Sequence, residues 1–332
     1  MSKYLIGAAL LVLILGVAYF FYLLGPVSEL KGEKDFSISP GTGVNEIAET
    51  LNSQGFIKSA GIFKFYSFLA GSAHVLKPGS YSLDLNLSVP EIVKILVTGP
   101  PDVEVLITEG KSLKDIDSLL SSLNLIQEGA LINTPLGSFK SEFPFLKNAR
   151  SLEGFLFPDT YRISRNSDLP TIIKKFLTNF QEKIILAFGP SVFESADDDW
   201  YKNLIIASLI EKEVPPGDER RLVAGIIKKR LALTMPLQVD ASIVYAKCGG
   251  RYEHCPPLTK SDFAIKSIYN TYAQKGLPPS PIANPGLDAL IAAREPKTSD
   301  FLYYLSDPGT QKTIFSKTFE EHNNNRERYL QL

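Results

Sequence analysis

An uncharged run from Tyr4 to Gly25, YLIGAALLVLILGVAYFFYLLG, constrains this chain more than any other feature. As a helix rising 1.5 Å per residue it crosses a hydrocarbon core of roughly 30 Å. Tyr4 stands at one edge and Tyr19 and Tyr22 near the other, where interfacial aromatics settle. A cleaved signal peptide would have a shorter apolar part, a more basic start and a small-x-small cleavage site, none of which is evident. The run predicts an uncleaved membrane anchor. Lys3 flanks one end and Lys31 and Lys34 the other, so charge alone does not orient it. Cys248 and Cys255 enclose GGRYEH in a turn-rich loop, and a disulfide there suits an oxidising compartment. Two unrelated surface thiols are the alternative. With the bridge, the chain beyond the anchor is exported.

That remainder is long enough for two folded domains, and a sequence that is 44% hydrophobic over its whole length can fill their cores. Thirty-five basic against 36 acidic side chains leave a net charge of −1, so no nucleic-acid footprint is expected. Two cysteines are too few for a zinc module or a disulfide scaffold. His74, His254 and His322 lie far apart in sequence. No metal and no cofactor are expected.

Residues 26–35 are polar and aperiodic, and read as a linker. Beyond them the chain repeats itself at an offset of 69 residues: ISPGTGVNEIAETLNSQGFIKSAGIF from Ile38 and ITEGKSLKDIDSLLSSLNLIQEGALI from Ile107. Each copy predicts a short strand, a glycine turn and an amphipathic helix. Between them KPGSYSLD predicts a turn into a strand, and SVPEIVKILVTG a helix opened by Ser88 and Pro90 and closed by Gly99. Two motifs here are chance. GKS at Gly110–Ser112 lacks the earlier glycine of a phosphate loop, since Val105 stands there. Ser28-x-x-Lys31 lies in the linker without the companion motifs of a serine–lysine nucleophile.

From Leu152 the texture changes to an α+β pattern with aromatic-lined loops. Helices are expected over Lys174–Phe188, over LIIASLIEKEV up to Pro215-Pro216, and over ERRLVAGIIKKRLAL with Asp218 as cap. MPLQVDASIVYA predicts a short strand and then a helix capped by Asp240. The helix carrying Glu211 is apolar on nearly every side and should be buried. Glu211 shares a face with Leu204, Ala207 and Ser208 and sits in the last turn, so burial and helix dipole both raise its proton affinity. A carboxylic acid kept protonated is what a general acid requires. The bland alternative, a structural pair with a nearby Arg or Lys, carries equal weight at this point. Glu213 stands closer to the helix end and is expected to reach solvent. A buried acid among aromatics and amides suits glycoside cleavage, which usually adds a second carboxylate; Asp159, Asp240 and Glu153 are the candidates.

ASLIEKE, ERRLVAGIIKKRL, MPLQVDASIVYA, YNTYAQKGLPPSPIANPG and LEGFLFPDTY together resemble the endolytic murein transglycosylases, the MltG/YceG-like family. The resemblance implies an α+β fold with one N-terminal transmembrane helix, LysM-like α/β modules and an α+β YceG-like catalytic domain. On that pattern residues 1–3 are a cytoplasmic tail, 4–25 the anchor and 26–35 the linker. Residues 36–148 are the LysM-like region, with repeat copies 38–63 and 107–132, and 149–332 the catalytic domain. The resemblance makes Glu211 the catalytic acid and places Gln238, Asp240, Tyr269, Asn270 and Asn284 around the cleft; Glu153 and Asp159 join them as substrate-binding candidates. Tyr269 could equally be core, and Asp240 only a helix cap. The CGGRYEHC insert with Cys248 and Cys255 is a departure from the pattern. The implied reaction needs one acid: it cleaves the bond between N-acetylmuramic acid and N-acetylglucosamine and leaves a 1,6-anhydro end. The implied partners are peptidoglycan glycan strands and peptidoglycan synthases, at the plasma (inner) membrane with the amino terminus cytoplasmic and the body outside. A non-catalytic peptidoglycan-binding protein and a hydrolysing muramidase are the rivals.

Overall fold

The computed structural model describes residues 2–28, 32–193, 199–307, 309–310 and 312–330. Met1 of the expected tail, residues 29–31 of the expected linker and residues 194–198 lie outside the described residues. The chain divides into two compact units, Met1–Val103 with Arg162–Ser167, and Glu104–Tyr161 with Asp168–Leu332.

The first unit opens with helix α1 (Ser2–Leu24), whose stretch Ile6–Leu24 is long and apolar enough to cross a membrane. Then come β1 (Glu33–Ile38), α2 (Val44–Ser53), α3 (Ala60–Leu69), β2 (Gly79–Asp84) and α4 (Val89–Thr98). β1 and β2 pair antiparallel with Phe36 opposite Tyr81. Strand alternation turns Phe36, Ile38, Tyr81 and Leu83 to one face, where they bury with Ile47, Leu51, Phe63, Ile92 and Leu96 from the helices. Each such side chain removed from water contributes about 1.5–3 kcal/mol. The expected start of α4 holds: Ser88 occupies the cap, and its N–H and hydroxyl both donate to Glu91, at 2.8 and 2.6 Å.

The second unit contains β3 (Val103–Ile107) from Glu104 on, α5 (Leu113–Ser122), the single turn α6 (Gly137–Lys140), β4 (Asp159–Ile163) as far as Tyr161, and α7 (Leu169–Phe188). It continues through α8 (Asp199–Glu213), α9 (Asp218–Ala232), α10 (Asp240–Lys247), α11 (Leu287–Arg294), β5 (Tyr303–Ser306), β6 (Thr313–Ser316) and α12 (Phe319–Leu330). β3 pairs with β4, and β5 with β6. Phe145 stands at a crossing of rings, 5.8 Å from Phe155, 5.3 Å from Phe180 and 5.0 Å from Phe193.

The 69-residue repeat is a structural one. Helix α5 begins and ends 69 residues after α2, and the turns before them place Gly41 at φ 86° and Gly110 at φ 76°. Both are in the left-handed region that glycine enters without a Cβ clash. The second copy lies in the second unit.

Several boundaries differ from expectation. α7 starts at Leu169 because Asp168 caps it, accepting the Thr171 N–H at 3.0 Å, and Pro170 suits its first turn. Gly217, not Asp218, occupies the cap of α9, and Val239, not Asp240, that of α10. The strand expected near Met235 is reduced to one bridge, Pro236 opposite Lys275, because Gln238 turns the backbone to φ 55°.

Candidate active site

Helix α8 is held by its apolar girth: Leu204, Ile205, Ile206, Ala207, Leu209 and Ile210 are all buried, and α9 and α11 pack against it. Ser208 is buried too, its hydroxyl accepting the Ile282 N–H at 3.1 Å. This packing carries the last turn inward, and the Glu211 side chain is only 5% exposed. Arg220 at the start of α9 donates to both carboxylate oxygens, at 2.8 and 3.2 Å, and the Gly286 N–H donates at 2.9 Å. Arg220 is fixed in turn by the Val214 carbonyl, 2.9 Å away, and pairs with Asp288 at 3.5 Å. Burial raises the Glu211 carboxyl above its ordinary range; Arg220 and the Gly286 N–H pull it down, and the nearby Glu109 charge pushes it up again. The ion pair and the raised proton affinity, weighed as rivals from the sequence, thus coexist.

Two groups beside Glu211 escaped the sequence reading. Arg220 had a signal, since ERR opens the next helix after a Pro-Pro stop. Glu109 lies in the ITEGKS turn, and it packs so closely on Gly286 that a β-carbon there would collide with its carboxylate.

A backbone ladder joins this site to a second buried acid. The Gly110 N–H donates to the Asn284 carbonyl, and the Asn284 N–H to the Lys111 carbonyl, both at 2.9 Å. Glu153 accepts from the Leu113 N–H at 2.9 Å, the Tyr245 hydroxyl at 3.1 Å and Asn284 Nδ2 at 3.3 Å. Complete burial outweighs these bonds and pushes its carboxyl up to about 8. Asn284 also accepts the Leu156 N–H at 2.8 Å, so it ties three segments together. Tyr269 is half-buried; its ring lies 4.9 Å from Tyr245 and its hydroxyl 2.7 Å from that of Ser280.

Glu213 does not reach freely into solvent as expected. The Ala241 N–H at the start of α10 folds over it and donates at 3.1 Å. Burial pushes its carboxyl up to about 8, with the charge of Asp240 adding to the effect. Asp240 is exposed and accepts from the Tyr272 hydroxyl, and Gln238 is exposed beside it. Asn270 is fully buried and its amide is used by its own loop: Nδ2 donates to the Phe263 and Ile265 carbonyls, and Oδ1 accepts from the Tyr272 and Ala273 N–H groups. Asp159 turns to α7, pairing with Lys183 at 2.9 Å and accepting from Asn179 at 3.2 Å.

Cys248 and Cys255 are bonded, with Cα atoms 5.9 Å apart. The loop they close is also fixed through Asp115, which accepts the Tyr252 and Glu253 N–H groups, each at 3.2 Å.

Buried carboxyl groups of raised proton affinity, held by arginine, amides and tyrosines in an α+β body, are the arrangement that an acid–base enzyme uses. The YceG-like family model matches residues 36–328, and the chain belongs to that family. It is 32% identical over 337 residues to an endolytic murein transglycosylase of Bacillus subtilis (strain 168), covering 96% of this chain and 91% of that protein. The protein of the same name from Streptococcus pneumoniae (strain ATCC BAA-255 / R6) is 31% identical over 317 residues, 87% of this chain but 57% of its own length. A crystal structure of a yceG-like protein from Listeria monocytogenes aligns with a TM-score of 0.59 at 29% identity, over 89% of this chain and 100% of that one.

Proposed function

We propose that this chain is an endolytic lytic transglycosylase of peptidoglycan. It cleaves the β-1,4 bond between N-acetylmuramic acid and N-acetylglucosamine in nascent strands and, by leaving 1,6-anhydro ends, terminates their elongation. The observation that carries the proposal is the Glu211 carboxyl: buried, raised in proton affinity, and held on the last turn of α8. Relatives of the chain bear the name of this enzyme.

In the proposed reaction Glu211 gives its proton to the glycosidic oxygen as the bond from the muramoyl C1 breaks. The muramoyl 6-hydroxyl then bonds to C1, and its proton returns to Glu211. No water is consumed and the acid is restored, so one carboxyl serves both steps. Burial favours the protonated form at the outset, while Arg220 and the Gly286 N–H stabilise the carboxylate between the steps. Gln238, Asp240 and the Tyr269 ring are the groups offered to the sugar. Glu153, Asn270 and Asn284 act through the loops that they hold.

The wider reading follows the same pattern. α1 anchors the protein in the plasma membrane, its amino terminus cytoplasmic and both units outside. The strand–helix copies act as a LysM-like glycan-binding region within residues 36–148, and peptidoglycan synthases supply the nascent strand. Mass spectrometry of glycan digested by the full chain tests the function: anhydro ends are expected. Reducing ends would make it a hydrolysing muramidase, and intact strands a binding protein.

A further inference from the structure

Helix α1 does not end in a free tether. Its last residue, Leu24, is buried in the core of the first unit among the side chains of β1, β2 and α2 to α4, and Phe20 one turn earlier packs against the same cluster. A span that ends inside a folded core pins that core at the membrane surface. The part of the unit that lies against α1 must then meet the headgroups.

That part is α3. Lys58, just ahead of it, donates to the Tyr22 carbonyl at 2.9 Å and stands 3.7 Å from the Tyr22 ring centroid. Phe65 in α3 meets Phe20 edge-on, with centroids 5.9 Å apart. As the chain passes from Lys58 to Phe65, its contacts step back along α1 from Tyr22 to Phe20. The carboxyl-terminal end of α3 is thereby aimed toward the apolar run.

What α3 presents there is unlike a water-facing surface. Phe65, Phe68 and Leu69 are 56%, 76% and 73% exposed, and Val75 shortly after is 52% exposed. The segment from Phe65 to Leu76, FYSFLAGSAHVL, holds no Asp, Glu, Lys or Arg, and Lys64 and Lys77 bound it. The other face of the helix supplies Phe63 to the core. Outside α1, the described residues show no other place where three large apolar side chains of one helix are this exposed. Such a patch on a soluble domain marks an interaction surface, and aromatic rings at this level match the headgroup belt.

We propose that the exposed edge of α3, with Val75, is immersed in the headgroup–acyl boundary of the leaflet where α1 emerges, as a second, interfacial foothold. The occupant of the patch is glycerophospholipid. The inference rests on the reading of α1 as a membrane span, and the two are separable by experiment.

The full chain would be reconstituted in phosphatidylethanolamine–phosphatidylglycerol vesicles whose lipids are brominated either near the headgroup or near the acyl terminus. Two variants carry an added tryptophan at an exposed site: Phe68→Trp in α3, and Leu13→Trp in the middle of α1, where Leu13 is 66% exposed. The emission of Trp200, the single native tryptophan, is subtracted using the parent chain. The expected result is blue-shifted Phe68→Trp emission, lost mainly to lipid brominated near the headgroup. Leu13→Trp should be quenched mainly by the deeper bromines. Unquenched Phe68→Trp emission overturns the inference, whether the emission is water-like or blue-shifted by a covering protein. If Leu13→Trp alone is quenched, the span stands and the foothold falls. If Phe68→Trp alone is quenched, α3 meets lipid but the span falls, and with it the inference of a second foothold beside α1.

Discussion

Replacing Glu211 by Gln keeps the volume and the acceptor for the Gly286 N–H, but removes the proton and the charge that meets Arg220. Arg220 then keeps only the longer pair with the half-exposed Asp288, at 3.5 Å, so some stability is lost and each variant must be shown folded before its rate is read. On folded protein Glu211→Gln should lose at least about 10⁴-fold in anhydro-end formation, the upper range for one acid–base group, since both steps use it. Glu213→Gln should lose far less. If Glu213→Gln is the dead variant instead, the acid is on the right helix but the wrong residue, a live contrast because burial lifts both carboxyls. Glu153 makes a different, thermodynamic expectation. Its folded carboxyl lies at about 8 against an ordinary 4.5. Below pH 4.5 the folded and unfolded chains both hold the proton. Between 4.5 and 8 the unfolded chain releases it while the folded one retains it, so stability should fall as pH rises, by roughly 1.4 kcal/mol per pH unit for one such group. Glu153→Gln mimics the protonated acid: its oxygen can accept from Leu113 and Asn284 while its amide nitrogen donates to Tyr245. Denaturation midpoints of this variant should match the parent near pH 5 and exceed it near pH 8. A variant with the parent's slope would show that Glu153 is ionised in the fold.

Secondary-structure elements were legible in the sequence where local chemistry decided them. The 69-residue repeat could be read from matched apolar positions, and it returned two helices in the same register because each copy carries its own turn glycine and amphipathic face. Boundaries were less legible where a neighbour decided them. Asp218 and Asp240 look like caps in isolation, yet each falls one residue inside its helix. The strand near Met235 gives way to one bridge because its partner is a loop around Lys275, distant in sequence. Gly225 shows the same dependence as a prediction. In the interior of a helix, Gly to Ala ordinarily gains about 0.5–1 kcal/mol. Here the segment Glu295–Lys297 lies against α9, held by the Lys297 N–H on the Arg221 carbonyl at 2.9 Å and by Arg221 Nε on the Glu295 carbonyl at 3.0 Å. A β-carbon on Gly225 would overlap the Lys297 carbonyl oxygen, which is backbone and cannot swing aside. Gly225→Ala should therefore lower stability, by about 1–3 kcal/mol as for other overpacked sites. A thermal midpoint above that of the parent would show that the segment is free to move.

For the molecule as a whole, the helix that carries Glu211 was more legible than the groups around its carboxyl. Burial and dipole follow from periodicity, and they pointed to Glu211 before any partner was known. Arg220, Glu109 and the Gly110–Asn284 ladder bring the Glu109–Lys111 turn together with the distant segment from Asn284 to Gly286, and no local pattern registers such meetings. The same holds for Asn270 and Asn284, whose amides looked available for sugar but are spent on loops. Topology combines signals from opposite ends of the chain: an apolar helix at the start and a bridge between Cys248 and Cys255 far from it. An anchor without a cleavage site should stay with the bilayer through alkaline extraction, which strips proteins held only by charge. Protease added outside intact spheroplasts should then digest both units, and inside-out vesicles should protect them. Protein recovered from the envelope without reductant should lack two hydrogens relative to the reduced chain, since the bridge forms only where the loop has left the reducing cytoplasm. Protection in spheroplasts together with two free thiols would reverse the orientation and separate the body from the exported glycan proposed as its substrate.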